Sequence, residues 1–228
     1  MGQAKKRGSR DERVAQALAN PSSAGRQGLG GLKVLKASDV TRLFATMDRL
    51  LAVLTTPAEI DQDVLDFARR VDGQQPLRLQ CEPLPWSRQD CCELNVEEYI
   101  RSHGGQKLVG YKIWQTAAEY VEGERHVVWT DGATVRDVSF CSSGEQEIVF
   151  VPDGKPYDAA PAKVRHAVRP GDTWALQAYE ALESKIPVRP LSAQEAWASM
   201  PSYDEFMSGK RIPSAFDARD KAKYVQEQ

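Results

Sequence analysis

The stretch RHVVWTDGATVRD, residues 125–137, joins a run of β-branched and aromatic residues to the turn dipeptide Asp131-Gly132. An Asp-Gly pair between such runs is the strongest short-range signal for a β-hairpin. Counting back from a two-residue turn places His126 opposite Asp137, with both side chains on one face of the strand pair. We therefore predict an antiparallel hairpin whose opposed Cβ atoms bring an imidazole within about 5 Å of a carboxylate.

Further short β-type runs surround this hairpin. Gly104-Gly105 ends a helical stretch, and the apolar period then shortens from that of a helix to that of a strand. We predict an α+β fold in which an antiparallel sheet is packed with helices. The predicted strands are 77–81, 107–115, 125–130, 134–140 and 147–151.

Two amphipathic helices are predicted ahead of this sheet. Apolar residues recur at three- and four-residue steps from Val40 to Leu54, after a cap at Ser38. The capping-box spacing of Thr56 to Glu59 predicts the start of a second helix. We expect the two helices to form a helical hairpin over residues 38–73.

Composition shifts divide the chain into four parts. The first residues are polar and rich in Gly, Ser and Arg, which is typical of an arm without a core. Asp172 is expected to cap a helix that runs to Ser184, and Ser192 with Glu195 predicts the start of another. The predicted parts are a flexible basic N-terminal arm (1–37), the helical hairpin (38–73), an α+β core domain (76–190) and a C-terminal helical tail (191–228).

Composition and charge exclude several classes of protein. The 228 residues are 41% hydrophobic and 27% charged with a net charge of −2, which is ordinary for a globular protein. No apolar run reaches the roughly 20 residues needed to cross a bilayer, so we expect no membrane contact. The basic arm is expected to make at most weak contacts with nucleic acid. The first residues are not signal-like and the four cysteines lack scaffold spacing, so we expect reduced thiols and a cytoplasmic location.

Three side chains supply the groups that nucleophilic cysteine catalysis requires. Asp90 to Glu93 has the spacing of a capping box, which places Cys92 in the first turn of a helix. Unsatisfied backbone N–H groups there favour a thiolate and can bind an oxyanion. His126 is the candidate base, and Asp137 is the candidate group that orients the imidazole. The predicted catalytic residues are therefore Cys92, His126 and Asp137, and we expect no cofactor and no metal.

The order of these three residues resembles that of known cysteine enzymes. A helix-capping Cys, then a strand His, then an Asp on the adjoining strand is the order used by transglutaminase-like and arylamine acetyltransferase-like enzymes, and papain-like peptidases are similar. The resemblance covers residues 90–152 and implies a papain/transglutaminase-like fold. It also implies acyl transfer or amide hydrolysis through a thioester, on an unknown peptide, amide or acyl substrate.

The chain also resembles uncharacterised bacterial and phage proteins that carry the patterns C-x-x-N-V, G-G, H-x-V-W and F-V-P-D. The resemblance implies no activity, but it favours Cys92 over Cys91 as the nucleophile. The patterns are matched here by Cys92 to Val96, Gly104-Gly105, His126 to Trp129 and Phe150 to Asp153.

Zinc binding is one alternative function, because thiolate and imidazole are preferred zinc ligands. The spacing argues against a zinc site, since no C-x2-C pair is joined to a second ligand pair. His103 is instead expected to complement the end of its helix, and His166 to lie in a basic loop with Lys163 and Arg165. The residues that could assemble around zinc are Cys81, Cys91, Cys92, His103 and His126.

A non-catalytic interaction protein of bacterial or phage origin is the other alternative. Its contact surfaces would be the basic arm, the helical hairpin or exposed aromatic side chains. In this interpretation Cys92 is a small buried thiol, and Asp137 is satisfied by Arg125 or Arg136. Gln89, just ahead of the helix, is expected at the surface. The aromatic residues concerned are Trp114, Trp129 and Trp174.

Overall fold

The computed structural model describes residues 37–116, 119–185 and 191–212. Its helices are α1 (Ala37–Leu51), α2 (Gln62–Arg70), α3 (Cys92–His103), α4 (Thr173–Glu183), α5 (Ala193–Ser199) and α6 (Tyr203–Met207). Its strands are β1 (Leu77–Gln80), β2 (Gln106–Thr116), β3 (Tyr120–Thr130), β4 (Val135–Arg136), β5 (Glu147–Pro152) and β6 (Lys163–Ala167). Within the described ranges, no helix is long and apolar enough to span a bilayer. The predicted arm, apart from its last residue, and the tail beyond 212 lie outside the described residues.

The strands form one antiparallel sheet packed with helices, which confirms the α+β class. The strand order is β1-β5-β2-β3-β4, and β6 pairs with β3 as well. At its centre, β2 and β3 pair along their whole lengths, from Gln106 opposite Thr130 to Thr116 opposite Tyr120. The other edge of β2 pairs with β5, and β5 pairs in turn with β1, so β2 has a strand partner on each side.

Strand β6 was not predicted, because its charged sequence was interpreted as a basic loop. In the fold its charges are neutralised by β3, which it pairs with antiparallel. Lys163 Nζ lies 2.5 Å and Arg165 Nε 3.3 Å from the buried carboxylate of Glu122. The strand therefore forms because its charged side chains meet an acidic partner that is distant in sequence.

The turn after β3 has four residues rather than the predicted two, so the predicted pairing of His126 with Asp137 across a ladder is wrong. Thr130 pairs with Val135, and the predicted strand 134–140 ends at Arg136. A two-residue type I′ turn needs positive φ at both central residues, whereas only Gly132 has it here, with φ 96°. The Asp131 carboxylate instead accepts hydrogen bonds from the N–H groups of residues 133 and 134, which stabilises the longer turn.

Helices α1 and α2 belong to two different hydrophobic clusters. Leu43 and Met47 of α1 pack with Leu176 of α4, whereas Val64 and Phe67 of α2 pack against the sheet. The clusters share no buried residue, so each helix is joined to the core separately. A helical hairpin over residues 38–73 therefore remains unconfirmed as a unit.

The predicted start of the second helix at Thr56 is wrong, because α2 begins at Gln62. Its N-cap is Asp61, whose carboxylate accepts a hydrogen bond from Val64 N at 3.0 Å. The Thr56 hydroxyl donates instead to the carbonyl oxygen of Glu147 at 3.0 Å. Contact with the sheet thus holds the segment around Thr56 in an extended conformation, and the helix begins further along the sequence, at Gln62.

Gly110 lies where β2 and β5 approach closely, and we expect Gly110→Ala to destabilise the sheet. An added Cβ would overlap with the carbonyl oxygen of Val151, which is backbone and cannot move aside. The free energy of unfolding, measured by urea denaturation, should fall by about 1–3 kcal/mol or more. The matched variant Gly171→Ala, whose Cβ meets no atom within 4 Å, should change it little. Equal stability of the two variants would contradict this close approach.

Candidate active site

Strand β3 has a gap along one edge, and His126 lies in it. On that edge β6 pairs with residues 120–124 and β4 pairs with residues 129–130. Between them, no strand of the described chain pairs with residues 126–128. Helix α3 packs against β3. The gap therefore leaves part of the strand edge open to side chains rather than to another strand.

The structure brings together the three side chains that the sequence nominated. His126 Nε2 lies 3.0 Å from Asp137 Oδ2, and the Cys92 side chain also forms a hydrogen bond with His126. Exposure is 5% for Cys92, 5% for His126 and 1% for Asp137, so water competes little for these contacts. The imidazole is thus held between a thiol and a carboxylate, although the turn that delivers Asp137 differs from the predicted one.

The electrostatics of this cluster favour a charged imidazole. Burial alone would lower the pKa of His126, but the carboxylate of Asp137 and the sulfur of Cys92 outweigh it. Together they raise the pKa from 6.5 to about 10. An imidazolium beside sulfur at neutral pH stabilises the thiolate, which is the nucleophilic form of cysteine.

Asp137 is held by contacts of its own. Its second carboxylate oxygen, Oδ1, accepts a hydrogen bond from Ser139 N at 2.9 Å, and its carbonyl oxygen accepts one from Glu82 N at 2.7 Å. Arg125 pairs with Asp153 and Arg136 with Glu82. The interpretation that Arg125 or Arg136 satisfies Asp137 is therefore wrong, and His126 occupies that place.

Cys92 is the first residue of α3, as predicted, but the helix is not capped as predicted. The N-cap residue is Cys91, and no side chain caps the helix there. Asp90 was expected to cap it, but it adopts φ 56°, in the left-handed region, which turns the chain sharply before the helix. Cys92 therefore lies among the first backbone N–H groups of α3, where a negative charge is stabilised.

Asn95, one turn after Cys92, fixes the loop that precedes the helix. Its side chain accepts from Arg88 N at 2.7 Å and donates to Arg88 O at 2.9 Å. It also donates to Ser139 Oγ at 3.2 Å, and the backbone N–H of Ser139 donates to Asp137. Sequence reasoning assigned Asn95 no role, although the C-x-x-N-V pattern contains it and its spacing from Cys92 was the available signal.

Tyr157 is a second residue that sequence reasoning missed, and Arg125 and Asp153 hold it in position. The Tyr157 hydroxyl lies 3.7 Å from Cys92 Sγ. Arg125, which is 1% exposed, donates to the Asp153 carboxylate at 2.5 Å and to the carbonyl oxygens of residues 155–157. The buried guanidinium thus fixes the loop that presents Tyr157 to the thiol, which gives a structural role to the Asp of the F-V-P-D pattern.

Gln89 is buried rather than exposed, which corrects its expected place at the surface. The residue is 8% exposed, and its side-chain oxygen Oε1 has no hydrogen-bond partner among the described residues. Its backbone N–H donates to the carbonyl oxygen of Pro201 at 3.0 Å, and Ser87 O accepts from Tyr203 N at 2.8 Å. The described part of the predicted tail therefore packs on the loop that leads into Cys92.

The residues named for zinc are dispersed. The described residues include no cluster of three or more His, Cys, Asp or Glu side chains that could hold a metal ion. Cys91 packs with Ala196 and Met200, away from the cluster that contains Cys92. The His103 ring stacks on that of Tyr99, with centroids 3.9 Å apart. The five residues therefore do not form the tetrahedral set that zinc requires.

The tryptophans named as contact surfaces are mostly core residues. Trp114 is 9% exposed and Trp129 is 7% exposed, and each belongs to a hydrophobic cluster. Trp174 is half-buried, with the guanidinium of Arg42 over its ring. The burial of Trp114 and Trp129 removes the support that these two residues gave to a partner-binding surface.

Comparisons with known proteins add no family assignment. A scan against protein-family models and searches of curated proteins and of solved structures gave no match. The resemblance to papain-like and transglutaminase-like enzymes, and that to bacterial and phage proteins, therefore remain predictions. The functional argument depends on the geometry of the site alone.

We expect Asp153→Asn to destabilise the fold, because it breaks the buried ion pair between Arg125 and Asp153. Removing one charge leaves the Arg125 guanidinium without its anionic partner, which typically costs about 3–5 kcal/mol in a buried pair. The free energy of unfolding should fall by about that amount in urea denaturation. Glu82→Gln breaks the exposed pair with Arg136 and should cost less than about 1 kcal/mol. Similar costs in the two variants would contradict a stabilising role of the buried Arg125–Asp153 pair.

The pH dependence of His126 is directly measurable. Its folded pKa is raised from 6.5 to about 10, so the charged ring adds stability that is complete below pH 6.5 and lost as the pH rises through about 10. Imidazole signals followed by NMR should show His126 still protonated at pH 8, and Cys92→Ala or Asp137→Asn should lower its pKa. His166 is the internal control, since burial and the nearby Arg70 cation lower its pKa. A His126 ring that titrates together with His166 would contradict the ion pair.

Proposed function

We propose that this protein is a cysteine-dependent acyl-transfer enzyme or amide hydrolase. Cys92 is the nucleophile, His126 the general base and then acid, and Asp137 the residue that orients the imidazole. The observation that carries the proposal is the buried His126 ring in contact with both the Cys92 side chain and the Asp137 carboxylate. A helix-borne thiol beside a strand-borne imidazole also supports a papain/transglutaminase-like fold as part of the proposal.

The chemistry follows from the position of each group. The Cys92 thiolate attacks the carbonyl carbon of the substrate, and the resulting oxyanion accepts hydrogen bonds from backbone N–H groups at the start of α3. Protonated His126 donates to the leaving group as the bond between carbon and that group breaks, which leaves a thioester on Cys92. His126 then takes a proton from the water or other acceptor that attacks the thioester, the C–S bond breaks, and the Cys92 thiolate leaves beside protonated His126, which restores the starting pair.

Each neighbour of the triad has a supporting part in this mechanism. Asp137 contacts Nε2, which leaves Nδ1 as the ring nitrogen for proton exchange with sulfur. Asn95 and Ser139 connect the loop before α3 to the segment that carries Asp137. Preorganisation of this kind reduces the cost of aligning the groups during the reaction. A reducing cytoplasm would suit a reaction that needs a free thiol, and we include that location in the proposal.

An acyl-enzyme trap tests the proposal. We expect 4-nitrophenyl acetate to acetylate Cys92, seen as a burst of nitrophenolate and as one acetyl group on the Cys92 peptide by mass spectrometry. His126→Gln should slow acetylation on the order of 100-fold or more, since it removes the base. Cys91→Ser is the matched control, because Cys91 is also buried but belongs to another cluster. It should leave acetylation unchanged.

Iodoacetamide labelling across pH gives a second, independent readout. Cys92 should react selectively, with an apparent pKa well below the roughly 8.5 of a free thiol, and His126→Ala should remove that selectivity. Circular dichroism should show that the variants are folded. Slow and equal labelling of all four cysteines, without acetylation, would reject the enzyme and favour a non-catalytic interaction protein.

A further inference from the structure

A second pair of thiols lies beside the triad and has no part in the proposed reaction. Cys81, directly after β1, and Cys141 are both free cysteines, and they lie in one hydrophobic cluster, near enough for a hydrogen bond between their side chains. They pack in the cluster that contains Phe150 and Trp114. Cys81 is also the bridge partner of Asp137 in the backbone. The pair therefore adjoins the segment that carries the Asp137 carboxylate.

Lys112, in the middle of β2, brings a positive charge to this pair. Its Nζ lies 4.0 Å from Cys141 Sγ and 3.6 Å from Glu124 Oε2, and it lies over the ring of Trp114 at 4.7 Å from the centroid. Its side chain is only 12% exposed, so water screens the charge weakly. A largely buried ammonium of this kind stabilises a neighbouring anion, and Cys141 is the thiol in reach.

The two sulfurs consequently differ in character. The hydrogen bond from Cys81 lowers the pKa of Cys141 and, despite burial, Lys112 lowers it further. The same hydrogen bond and burial raise the pKa of Cys81 well above its usual range. Cys141 is thus the more acidic of the two sulfurs and the one that more readily forms a thiolate, whereas Cys81 remains a thiol that can donate to it. A thiolate next to a second thiol is the arrangement that oxidation converts into a disulfide.

We propose that Cys81 and Cys141 form a dithiol site that hydrogen peroxide oxidises to a disulfide. The Cys141 sulfur attacks one oxygen of the peroxide, the O–O bond breaks, and the released hydroxide takes up a proton and leaves as water. Cys141 becomes a sulfenic acid. The Cys81 sulfur then attacks the Cys141 sulfur, the S–O bond breaks, and the departing hydroxyl group takes the Cys81 proton to form a second water. Both electrons of the oxidation are accepted by the peroxide.

Access and neighbours explain the choice of oxidant. Cys81 is half-buried and Cys141 is 6% exposed, and this burial favours a small oxidant such as hydrogen peroxide over a bulky disulfide. Cys91 and Cys92 are poor partners for a disulfide with each other, because they belong to separate clusters and adjacent side chains diverge at a helix start. The proposal does not rest on the proposed acyl-transfer reaction, since neither thiol contacts a substrate in that mechanism.

Oxidation of the full chain tests the site. The reduced protein is treated with hydrogen peroxide near neutral pH, remaining thiols are alkylated under denaturing conditions, and non-reduced peptides are mapped by mass spectrometry. We expect a Cys81–Cys141 cross-linked peptide that disappears on reduction, in the wild type and in Cys92→Ser alike. Cys81→Ser keeps a hydroxyl donor but removes the second thiol, and it should leave Cys141 as a sulfenic acid that dimedone labels.

Charge variants test the role of the lysine. Lys112→Gln should slow formation of the disulfide by about tenfold, because the Cys141 thiolate loses its cation. Lys210→Gln removes an exposed positive charge that pairs with Glu205 rather than with either thiol, and it should leave the rate unchanged. Cys91→Ser should also be without effect. Absence of the cross-linked peptide while Cys91 or Cys92 is oxidised, or equal rates in the Lys112→Gln variant and the wild type, would overturn the proposal.

Discussion

One buried guanidinium organises the surroundings of the candidate site. Arg125 carries a full positive charge inside the protein, so its donors must all find acceptors. The acceptors come from the Asp153 carboxylate and from the carbonyl oxygens of Gly110 and residues 155–157. Satisfying this one side chain therefore sets the path of the chain after β5. The position of Tyr157 against the thiol follows from that path.

The neighbour of this arginine in the sequence faces the other side of the sheet. Arg125 lies over the ring of Tyr111, which packs with α2, whereas the His126 ring meets Phe150 edge-on. Successive side chains of a strand alternate between the faces, so one dipeptide serves two purposes. Arg125 anchors a loop on one face, and His126 supplies the imidazole of the candidate site where β3 has no strand partner.

A series of charged and ionisable side chains extends from the His126 ring along the same face of the sheet. Asp137 adjoins Cys81, Cys81 adjoins Cys141, and Cys141 adjoins Lys112. A change of charge at one group in such a series alters the field at the next, since little water separates them. The proposed acid–base site and the proposed dithiol site would therefore influence one another electrostatically even though they use different sulfurs.

Local sequence patterns predicted the class of the fold and most of its sheet, because the β-type runs and the glycine stop at Gly104-Gly105 are short-range signals. The capping box at Ser192 was predicted and is present, because all its partners are local. The same reasoning failed at Thr56, where a contact with β5 outweighs local capping preference. Chemical types in order along the chain sufficed to nominate Cys92, His126 and Asp137.

Partners that are distant in sequence account for what was missed. Strand β6 depends on Glu122, and the loop that positions Tyr157 depends on Arg125, 28 residues before Asp153. The hydrogen bond from Asn95 to Ser139 spans 44 residues. Such pairs leave no periodic pattern in the sequence. Each of these polar side chains is unfavourable when buried alone, and it finds its partner only in the folded chain.

The packing of residues 200–203 on the loop before Cys92 has a consequence for synthesis. A chain emerging from the ribosome exposes Cys92, His126 and Asp137 long before those later residues follow. Until then the loop lacks the backbone hydrogen bonds that Pro201 and Tyr203 provide. The loop that leads into the candidate nucleophile would therefore be completed only late in translation.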